Sequence, residues 1–519
     1  MGNSSITCSD CGNAFFSAGE KRFYLERNLT LPSRCKPCRD KKNEVRTQLL
    51  QEISENWNIE AKNEKPDYFF NTAEAKELFN GVKHFVIGRK GTGKTAIAEY
   101  LSKIHDANVF SEKLSFKNFP FNYLYSLENK NYTAPNQYIS IWKHLIYSCV
   151  CKMMIRNEAI DSSVVQQLKK IYGTDSKESL SRMVETWTAT EFGVDIFGSG
   201  LSGRREIRDP KEMSWIDKSN ILEDIITKYL DNSKYFIIID ELDEDYREFE
   251  SSSESKTYIQ LLTSLFKATQ DVRTITKNHE LSVLPIVFLR TDIFSLIKDS
   301  DKNKWNSFKV SLDWSIQSIE KMLAHRIAVA SGKQELDFSE AWNLVFTKDY
   351  VTMGNQARNQ MSIFDYITRS TQLRPRDYIQ YLVECSKSAV SSNEPRVTPK
   401  IVKSVDDGFS DYLRDEMIDE VHAVIPEISE VLEILSQIRK QTFSPKEFID
   451  MYNSYVETQR IDDQGAENVL RMLFEFSIIG NQPSAHNKAI FKYQTVGARF
   501  NYKEKIMIHR GLYKALQIF

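Results

Sequence analysis

The sequence predicts an α/β protein built around a parallel β-sheet, with a helical lid, a small metal-binding module before it and a helical module after it. Three observations support this fold class. A strand-like run at 84–88 leads through a glycine-rich loop into a helical pattern, an apolar run at 235–239 ends in two acids, and four of the seven cysteines lie within the first 38 residues. Strands that alternate with helical patterns are typical of parallel sheets.

Length and composition indicate a globular protein of several domains. The chain has 519 residues, of which 41% are hydrophobic and 27% charged, and its 69 basic and 71 acidic side chains give a net charge of −2. This balance excludes a globally basic nucleic-acid coat, although it allows a local basic patch. No apolar run reaches the roughly 18 to 20 residues that span a bilayer. The start of the sequence has no secretory signal, so we expect a cytoplasmic protein without membrane contact.

Two Cys-x-x-Cys pairs, Cys8 with Cys11 and Cys35 with Cys38, predict a zinc site. Each pair forms a tight turn that points two thiolates at one ion, and the 23 residues between the pairs fold back to bring them together. Four thiolates leave no open coordination position, so the expected role of the zinc is structural. Metal binding then supplies the folding free energy of a module too small to fold alone.

Residues 6–42 resemble the probable zinc-ribbon domains of bacteria, with the pattern C-x-x-C-G-x-x-F at the start and R-C-x-x-C-R at the end. The resemblance implies a binding module without defining its ligand. The basic residues around the second pair have three alternative roles: they contact phosphate, form a solvated basic face or form a protein-docking face. These residues are Arg34, Lys36, Arg39, Lys41, Lys42 and Arg46.

The glycine-rich loop matches G-x-x-x-x-G-K-T between a strand-like run and a helical pattern, which is the context this phosphate-binding motif requires. Glycines let successive backbone N–H groups curl around phosphates, and the helix N-terminus adds its positive end. We therefore expect ATP and Mg²⁺, with Lys94 on the β- and γ-phosphates and the Thr95 hydroxyl in the magnesium shell. The predicted nucleotide-binding residues of the loop are Gly88, Lys90, Gly91, Thr92, Gly93, Lys94 and Thr95.

The apolar run at 235–239 supplies the acids that such a site needs. Asp240 is predicted to hold Mg²⁺, and Glu241, at the carboxyl edge of the strand, is predicted to orient the attacking water as general base. The acidic run continues beyond them, so Asp243 and Glu244 remain alternatives for the base.

Three arginines are candidates for contact with the nucleotide. Arg290 follows the next strand-like run and is predicted to sense the γ-phosphate, with a salt bridge to Asp292 as the alternative. Arg374 and Arg376 open a helical pattern and are predicted to reach the nucleotide from the lid, with a salt bridge to Asp377 in the first turn as the alternative. Three aromatic residues before the loop either pack on the base or belong to the core: Tyr68, Phe69 and Phe70.

The order of these motifs resembles the AAA+ and STAND-type ATPases over residues 66–395, and the resemblance continues into the C-terminal part. It implies a parallel sheet with nucleotide at its carboxyl edge, and an ATP-hydrolysing switch that signals to a protein partner or effector. The relatives point to a setting in bacterial anti-phage defence. Two alternatives stay open: assembly into a homo-oligomer, and a nucleic-acid-dependent ATPase that uses the zinc ribbon for contact with DNA or RNA.

The predicted domain order follows from these motifs. Three helical patterns and two short strands at 478–479 and 490–493 predict a winged helix at the C-terminal end, and its acidic third helix favours protein contact over DNA contact. The predicted boundaries are zinc ribbon 1–46, linker helix 47–65, ATPase core 66–320 with a helical insertion at 118–215, helical lid 321–420 and winged helix 421–519.

Overall fold

The computed structural model describes residues 6–15, 17–27, 30–117, 121–127, 133, 136–173, 184, 214–245, 253–354, 359–484 and 488–518. Much of the predicted insertion, including 174–183 and 185–213, lies outside these ranges, as does the side chain of Glu244.

A five-stranded, all-parallel sheet forms the centre of the fold, in the order β2-β3-β4-β1-β5. The predicted α/β class with a parallel sheet is therefore confirmed. Edge strand β2 was not predicted, since it is polar and only its sixth residue is buried. The strands are β1 Phe85–Gly88, β2 Val109–Ser115, β3 Lys234–Asp240, β4 Ser282–Arg290 and β5 Lys309–Ser311.

The sheet is buried on both faces because its side chains alternate between two hydrophobic cores. Phe85 and Ile87 of β1 pack into one core, together with Ile237 of β3. Val86 and Ile238 face the other. Coverage on both faces explains why these strands appear in the sequence as continuous apolar runs.

Helices cover the two faces of the sheet. The apolar helix Ile139–Met154 lies in the insertion and buries thirteen of its sixteen residues. The other helices of this part are Ala73–Phe79, Lys94–Ser102, Phe121–Ser126, Ser162–Tyr172, Trp215–Tyr229, Ser253–Asn278, Thr291–Leu296 and Lys302–Ser307.

The N-terminal module contains helix α1, Ala18–Glu26, and the start of a long helix α2, Lys36–Asn56. The predicted boundary at residue 46 falls inside α2, which carries Cys38 in its first turn. Farther along α2, Leu50 and Ile53 are fully buried in the hydrophobic core of the lid. Two short 3₁₀ turns follow, Ala61–Asn63 and Pro66–Tyr68. One continuous helix thus joins the four-cysteine module to the lid.

The lid is helical and shares its hydrophobic core with the C-terminal module. Its two longest helices are Pro375–Ser391 and Pro399–Val421, and the second runs through the predicted boundary at residue 420. The remaining elements of the lid are the helices Ile316–Ala330, Phe338–Val345 and Ile363–Thr368 and the antiparallel strands β6 Val351–Met353 and β7 Asn359–Met361.

The C-terminal module has three helices and a three-stranded antiparallel sheet in the order β8-β10-β9. The predicted capping box is present, since Ser444 and Glu447 bond each other's backbone N–H groups. The predicted strand at 490–493 differs: only Ile490 bridges to Asn481, and the ladder partner of β9 is β10. The winged-helix assignment stays a prediction. The elements are helices Ile428–Ile438, Pro445–Glu457 and Ala466–Glu475 and strands β8 Thr442–Phe443, β9 Ile479–Gln482 and β10 Lys505–Ile508.

None of the described helices combines the length and the apolar character needed to cross a membrane.

Candidate functional site

A cleft of about 920 Å³ lies at the carboxyl ends of β1 and β3. Its walls are the glycine-rich loop 88–95, the acids that follow β3, the segment 58–74 and the first turn of the lid helix that begins at Pro375. In parallel α/β sheets, ligands bind at the carboxyl edge of the strands. The fold therefore brings most of the predicted site residues into one cavity.

The glycine-rich loop holds a backbone conformation that only glycine adopts easily. Gly91 has φ +79° and Gly93 has φ +96°. A Cβ on Gly91 would also lie 3.3 Å from Cβ of Arg376, so the lid helix approaches the loop closely at this point. The helix that follows begins at Lys94, directly after Gly93. The loop and the helix N-terminus thus have the geometry of a phosphate cradle.

Lys94 lies inside this cradle. Its Nζ donates to the carbonyl oxygens of Gly88 and Arg89, at 3.0 Å each. Burial lowers the pKa of Lys94, with Asp243 and Asp240 opposing that effect. Thr92 and Thr95 also line the cleft, and the Thr92 hydroxyl donates to the Arg89 carbonyl at 2.8 Å. The predicted loop residues therefore surround a common space.

Asp240 ends β3 as a buried carboxylate, with 2% of its surface exposed. Burial raises its pKa, and the nearby Lys113 ammonium opposes the rise. Lys113 Nζ lies 3.4 Å from Asp240 Oδ2, yet that oxygen accepts no hydrogen bond. This oxygen lies in the same cleft as the Thr95 hydroxyl. Together the two oxygens form a donor set that fits Mg²⁺.

Glu241 follows in the left-handed backbone region, at φ +61°. Its Oε1 lies 2.7 Å from Lys62 Nζ, and its Oε2 accepts a hydrogen bond from the Ser115 hydroxyl. Burial alone raises the pKa of Glu241, but the hydrogen bonds from Lys62 and Ser115 outweigh it and hold the pKa below its usual value. Neither partner was predicted from the sequence. Strand β2 lies beside β3 with Ser115 opposite Asp240, the residue before Glu241. A prediction of β2 from the sequence would therefore have placed Ser115 near the acids.

Arg290 does not line the cleft. Its guanidinium makes two hydrogen bonds to Asp292, of 3.1 and 2.7 Å, and donates to the Glu420 carbonyl at 3.0 Å. Burial alone lowers its pKa, but Asp292 and Glu420 outweigh it and raise the pKa above the usual value. The structure thus places Arg290 in the alternative arrangement, the salt bridge to Asp292, which fixes the tip of β4 against the end of the lid.

Arg374 and Arg376 both contact the glycine-rich loop. Arg374 is fully buried, pairs with Asp377 at 3.2 Å and with Glu420 at 2.9 Å, and leaves its Nη2 without a partner. Arg376 lines the cleft, and its backbone N–H donates to the Gly91 carbonyl at 3.4 Å. Its guanidinium bridges Glu416 at 3.3 Å and Glu60 at 3.1 Å.

The three aromatic residues before the loop have different positions. Phe69 lines the cleft and stacks on Tyr100 with ring centroids 4.3 Å apart. Phe70 also lines it. Tyr68 is 2% exposed and donates its hydroxyl to Glu52 at 2.7 Å, so it belongs mainly to the core between α2 and the lid.

One contact that the sequence did not predict joins the loop to both helical modules. Arg89 donates to the side chain of Gln372 at 3.2 Å and to its carbonyl at 2.9 Å, and its guanidinium lies over the Tyr493 ring at 5.7 Å. Gln372 in turn donates to the carbonyls of Phe476 and Ser477, at 3.3 Å each. These contacts link the loop directly to the lid and to the C-terminal module.

The four N-terminal cysteines form a second candidate site. Their Sγ atoms all lie within 4.8 Å of one another, and the atoms of Cys11 and Cys35 are 3.7 Å apart. Four sulfurs around a tetrahedral zinc ion at about 2.3 Å would be about 3.8 Å apart. Cys35 caps α2 and Cys38 is in its first turn, so the helix places the second pair of sulfurs beside the first. The predicted ligands therefore fit zinc.

Two family models match parts of the chain. Residues 4–47 match the probable treble clef domain, and residues 317–418 match the FunZ-associated C-terminal helical domain. The treble clef match agrees with the second cysteine pair at the start of a long helix. Together with the parallel sheet, the zinc-type cysteine cluster and the helical lid confirm the predicted fold class.

Solved structures resemble the whole chain only loosely. ORC2 of Aeropyrum pernix, in ADPNP-ADP complexes, is 11% identical, with 86% of this chain and 92% of that chain covered at a TM-score of 0.38. Cdc6p of Pyrobaculum aerophilum is 10% identical, with coverages of 85% and 91% and a TM-score of 0.30. Drosophila ORC bound to DNA is 10% identical, with coverages of 97% and 100% and a TM-score of 0.29. No curated protein matches the chain.

Proposed function

We propose that the chain binds and hydrolyses ATP and that the state of the nucleotide controls how its helical modules engage a protein partner. One observation carries the proposal. The phosphate-cradle residues Lys94 and Thr95 share a single cleft with the buried Asp240 and with Glu241, at the carboxyl edge of a parallel sheet. This arrangement is what phosphoryl transfer to water requires.

Binding is the task of the glycine-rich loop in this proposal. Its backbone N–H groups and the N-terminus of the helix that begins at Lys94 hold the phosphates, and the Lys94 ammonium neutralises their charge. Thr95 and Asp240 hold Mg²⁺, which supplies charge stabilisation at the transferring phosphoryl group. Phe69 and Tyr100 form an apolar wall of the cleft, and the nucleobase of ATP packs on this wall.

Glu241 is the general base. Its carboxylate accepts a proton from the attacking water as that water's oxygen bonds to the γ-phosphorus and the bond to the β-phosphate oxygen breaks. The lowered pKa of Glu241 keeps it ionised and ready to accept a proton at neutral pH. The Ser115 hydrogen bond fixes the position of the carboxylate, and Lys62 lowers its pKa. Lys62 belongs to the chain that follows α2, so the base depends on the segment leading from the treble clef.

The contacts of the loop explain how the state of the nucleotide would reach the rest of the chain. Arg376 ties the lid helix to Gly91, and Arg89 ties the loop to Gln372 and Tyr493. Phosphates entering the cradle compete with Glu60 and Glu416 for the Arg376 guanidinium and so change the position of the lid. A shift of the loop would reach the C-terminal module through Arg89 and Gln372. The protein partner that receives this change, and a setting in bacterial anti-phage defence, are part of the proposal and rest on the family resemblance.

ATP turnover by the purified protein tests the proposal. We expect Mg²⁺-dependent release of phosphate that falls at least about 100-fold in Lys94→Ala, because a preorganised charge on the transferring group is lost. Glu241→Gln should bind nucleotide normally but fall by a similar factor, which separates binding from chemistry. Asp243→Asn is the matched control from the same acidic run. Turnover that persists in Glu241→Gln but disappears in Asp243→Asn would reassign the base.

A nucleic-acid-dependent ATPase is the second candidate, favoured by the cluster of cations beside the zinc site. The same assay with DNA or RNA added distinguishes the two. Stimulation that is lost when Arg39, Lys41 and Lys42 are replaced by alanine supports the second candidate, whereas unchanged turnover supports signalling to a protein.

A further inference from the structure

A small pocket of about 270 Å³ lies between the treble clef and the lid, separate from the nucleotide cleft. Four of its six lining residues come from α2, at positions 39, 42, 43 and 46, a spacing that places them on one face of the helix. Arg34 precedes α2, and Arg396 comes from the loop between the two long lid helices. We call this the basic pocket, lined by Arg34, Arg39, Lys42, Asn43, Arg46 and Arg396.

Among the residues that the structure describes, the basic pocket is lined by five cations and by no acidic side chain. Arg34 pairs with Asp10 outside the pocket, at 2.7 Å. Within the described part of the chain, the other four form no ion pair with a carboxylate: Arg39, Lys42, Arg46 and Arg396. Burial lowers the pKa of Lys42 and of Arg46, and the neighbouring guanidinium groups lower both further. The cations therefore repel one another, and Asp10, which is paired with Arg34, opposes the fall in the pKa of Lys42 only in part.

Arg46 gives the second, independent sign of a ligand. Its Nε is buried and has no hydrogen-bond partner. A buried donor without a partner costs roughly 1 to 3 kcal/mol, so native structures rarely keep one without a use. An anion in the pocket would accept from this donor and end the repulsion among the cations.

The two walls of the pocket are held in place by packing that does not involve the cations. The second half of α2 inserts Leu49, Leu50 and Ile53 into the hydrophobic core of the lid. Val397, next to Arg396, is fully buried in the same core and its backbone bonds to Val345 and Thr347. The cations are thus preorganised around a fixed space.

We propose that the basic pocket binds a phosphate group, held jointly by the treble clef and the lid. Guanidinium groups donate paired hydrogen bonds that match phosphate oxygens, and several converging cations favour a multiply charged anion over chloride. The group has two candidate sources with the same chemistry: the backbone of a nucleic-acid strand and a free phosphorylated small molecule. The proposal does not depend on ATP hydrolysis, because none of these residues lines the cleft.

Calorimetric titration of the full-length, zinc-loaded protein tests the proposal. The probes are inorganic phosphate and a 20-nucleotide single-stranded oligothymidylate, titrated at constant ionic strength with saturating Mg·ADP to fill the other phosphate site. Arg396→Ala is the test variant, and Lys400→Ala is the control, since Lys400 is an exposed cation of the same part of the lid that does not line the pocket. We expect Arg396→Ala to weaken phosphate binding about tenfold, the effect of one charge-assisted contact, and Lys400→Ala to leave it unchanged.

Each outcome decides the matter. Weakening of both probes by Arg396→Ala supports the site and assigns it to a nucleic-acid backbone, while weakening of phosphate alone supports it and assigns a small molecule. Absence of saturable phosphate binding in the wild type, or equal weakening by both variants, overturns the proposal. Arg46→Lys keeps the charge but removes Nε, and it should also weaken phosphate binding. Zinc content and circular dichroism confirm that each variant is folded.

Discussion

The nucleotide cleft and the basic pocket treat their cations in opposite ways. Among the cations that line the cleft, Lys90 pairs with Glu416 and Asp419, and Arg376 pairs with two glutamates. In the basic pocket, five cations face one another, and among the residues that the structure describes only Arg34 has a carboxylate partner. The cleft thus places acids beside its cations while it leaves Asp240 Oδ2 without a hydrogen bond, whereas the basic pocket gains stability from any anion that enters. Acids beside cations suit a regulated reaction, and a cluster of cations suits a simple binding site.

Removing zinc should have the largest effect and should separate the two regions. Structural zinc supplies about 10 to 16 kcal/mol of folding free energy in comparable modules, so a chelator or Cys35→Ser should unfold residues 6–35. We expect phosphate binding at the basic pocket to disappear while ATP turnover persists, because Leu50 and Ile53 still anchor α2. Hydrogen exchange, calorimetry and turnover measure the three effects. Zinc added back is the control, and simultaneous loss of turnover would show that the cleft depends on the metal.

Asp240→Asn should affect only the cleft. The substitution removes the buried charge that fits Mg²⁺, so we expect turnover to fall about 100-fold and the dependence of nucleotide binding on Mg²⁺ to weaken. Phosphate binding at the basic pocket should stay the same. Steady-state kinetics over a range of Mg²⁺ concentrations checks the first effect. If the variant kept the normal dependence on Mg²⁺, Asp240 would not be a ligand of the metal.

Lys62→Ala should increase basal turnover about threefold at neutral pH. Lys62 helps hold the pKa of Glu241 down, and a base whose pKa lies nearer the working pH accepts a proton more effectively. The rate needs ionised Glu241, so the acid limb of the pH–rate profile should move to higher pH in the variant. Lys65→Ala, which alters an ion pair with Glu52 in the same segment, is the control. An acid limb at the wild-type position would show that Lys62 does not act on the base.

The smallest expected effect is a gain in stability from Lys42→Gln. Removal of one repelling cation from the basic pocket should raise the free energy of unfolding by about 0.5 kcal/mol at low salt, and added salt should erase the gain. Thermal unfolding with and without phosphate measures it, with Lys41→Gln as the matched control. A fall in stability at low salt would mean that the cations of the pocket are compensated after all.

Local physics explains which parts the sequence predicted. The glycine-rich loop, the acids after β3 and the two cysteine pairs each occupy a short run in which spacing alone determines the chemistry. The parallel sheet followed from buried apolar strands. The edge strand β2 was missed because an edge strand with Glu112 and Lys113 resembles a surface segment.

The contacts between distant segments could not be predicted. Lys62 reaches Glu241 because the segment after α2 folds onto the core, and Arg89 reaches Tyr493 because the C-terminal module does so too. Arg396 looks like any surface arginine until α2 is placed beside it. Arg290 shows the opposite case: its nearest acid in the sequence, Asp292, is also its partner in the structure.

The continuity of α2 makes the number of its residues as important as their identity. Each residue added to a helix turns everything beyond it by about 100° and advances it by about 1.5 Å. One residue inserted between Arg46 and Leu49 would leave both the zinc ligands and the buried leucines chemically intact, yet would rotate the cations of α2 away from Arg396. The length of the helix therefore sets the rotation of the metal site relative to the lid.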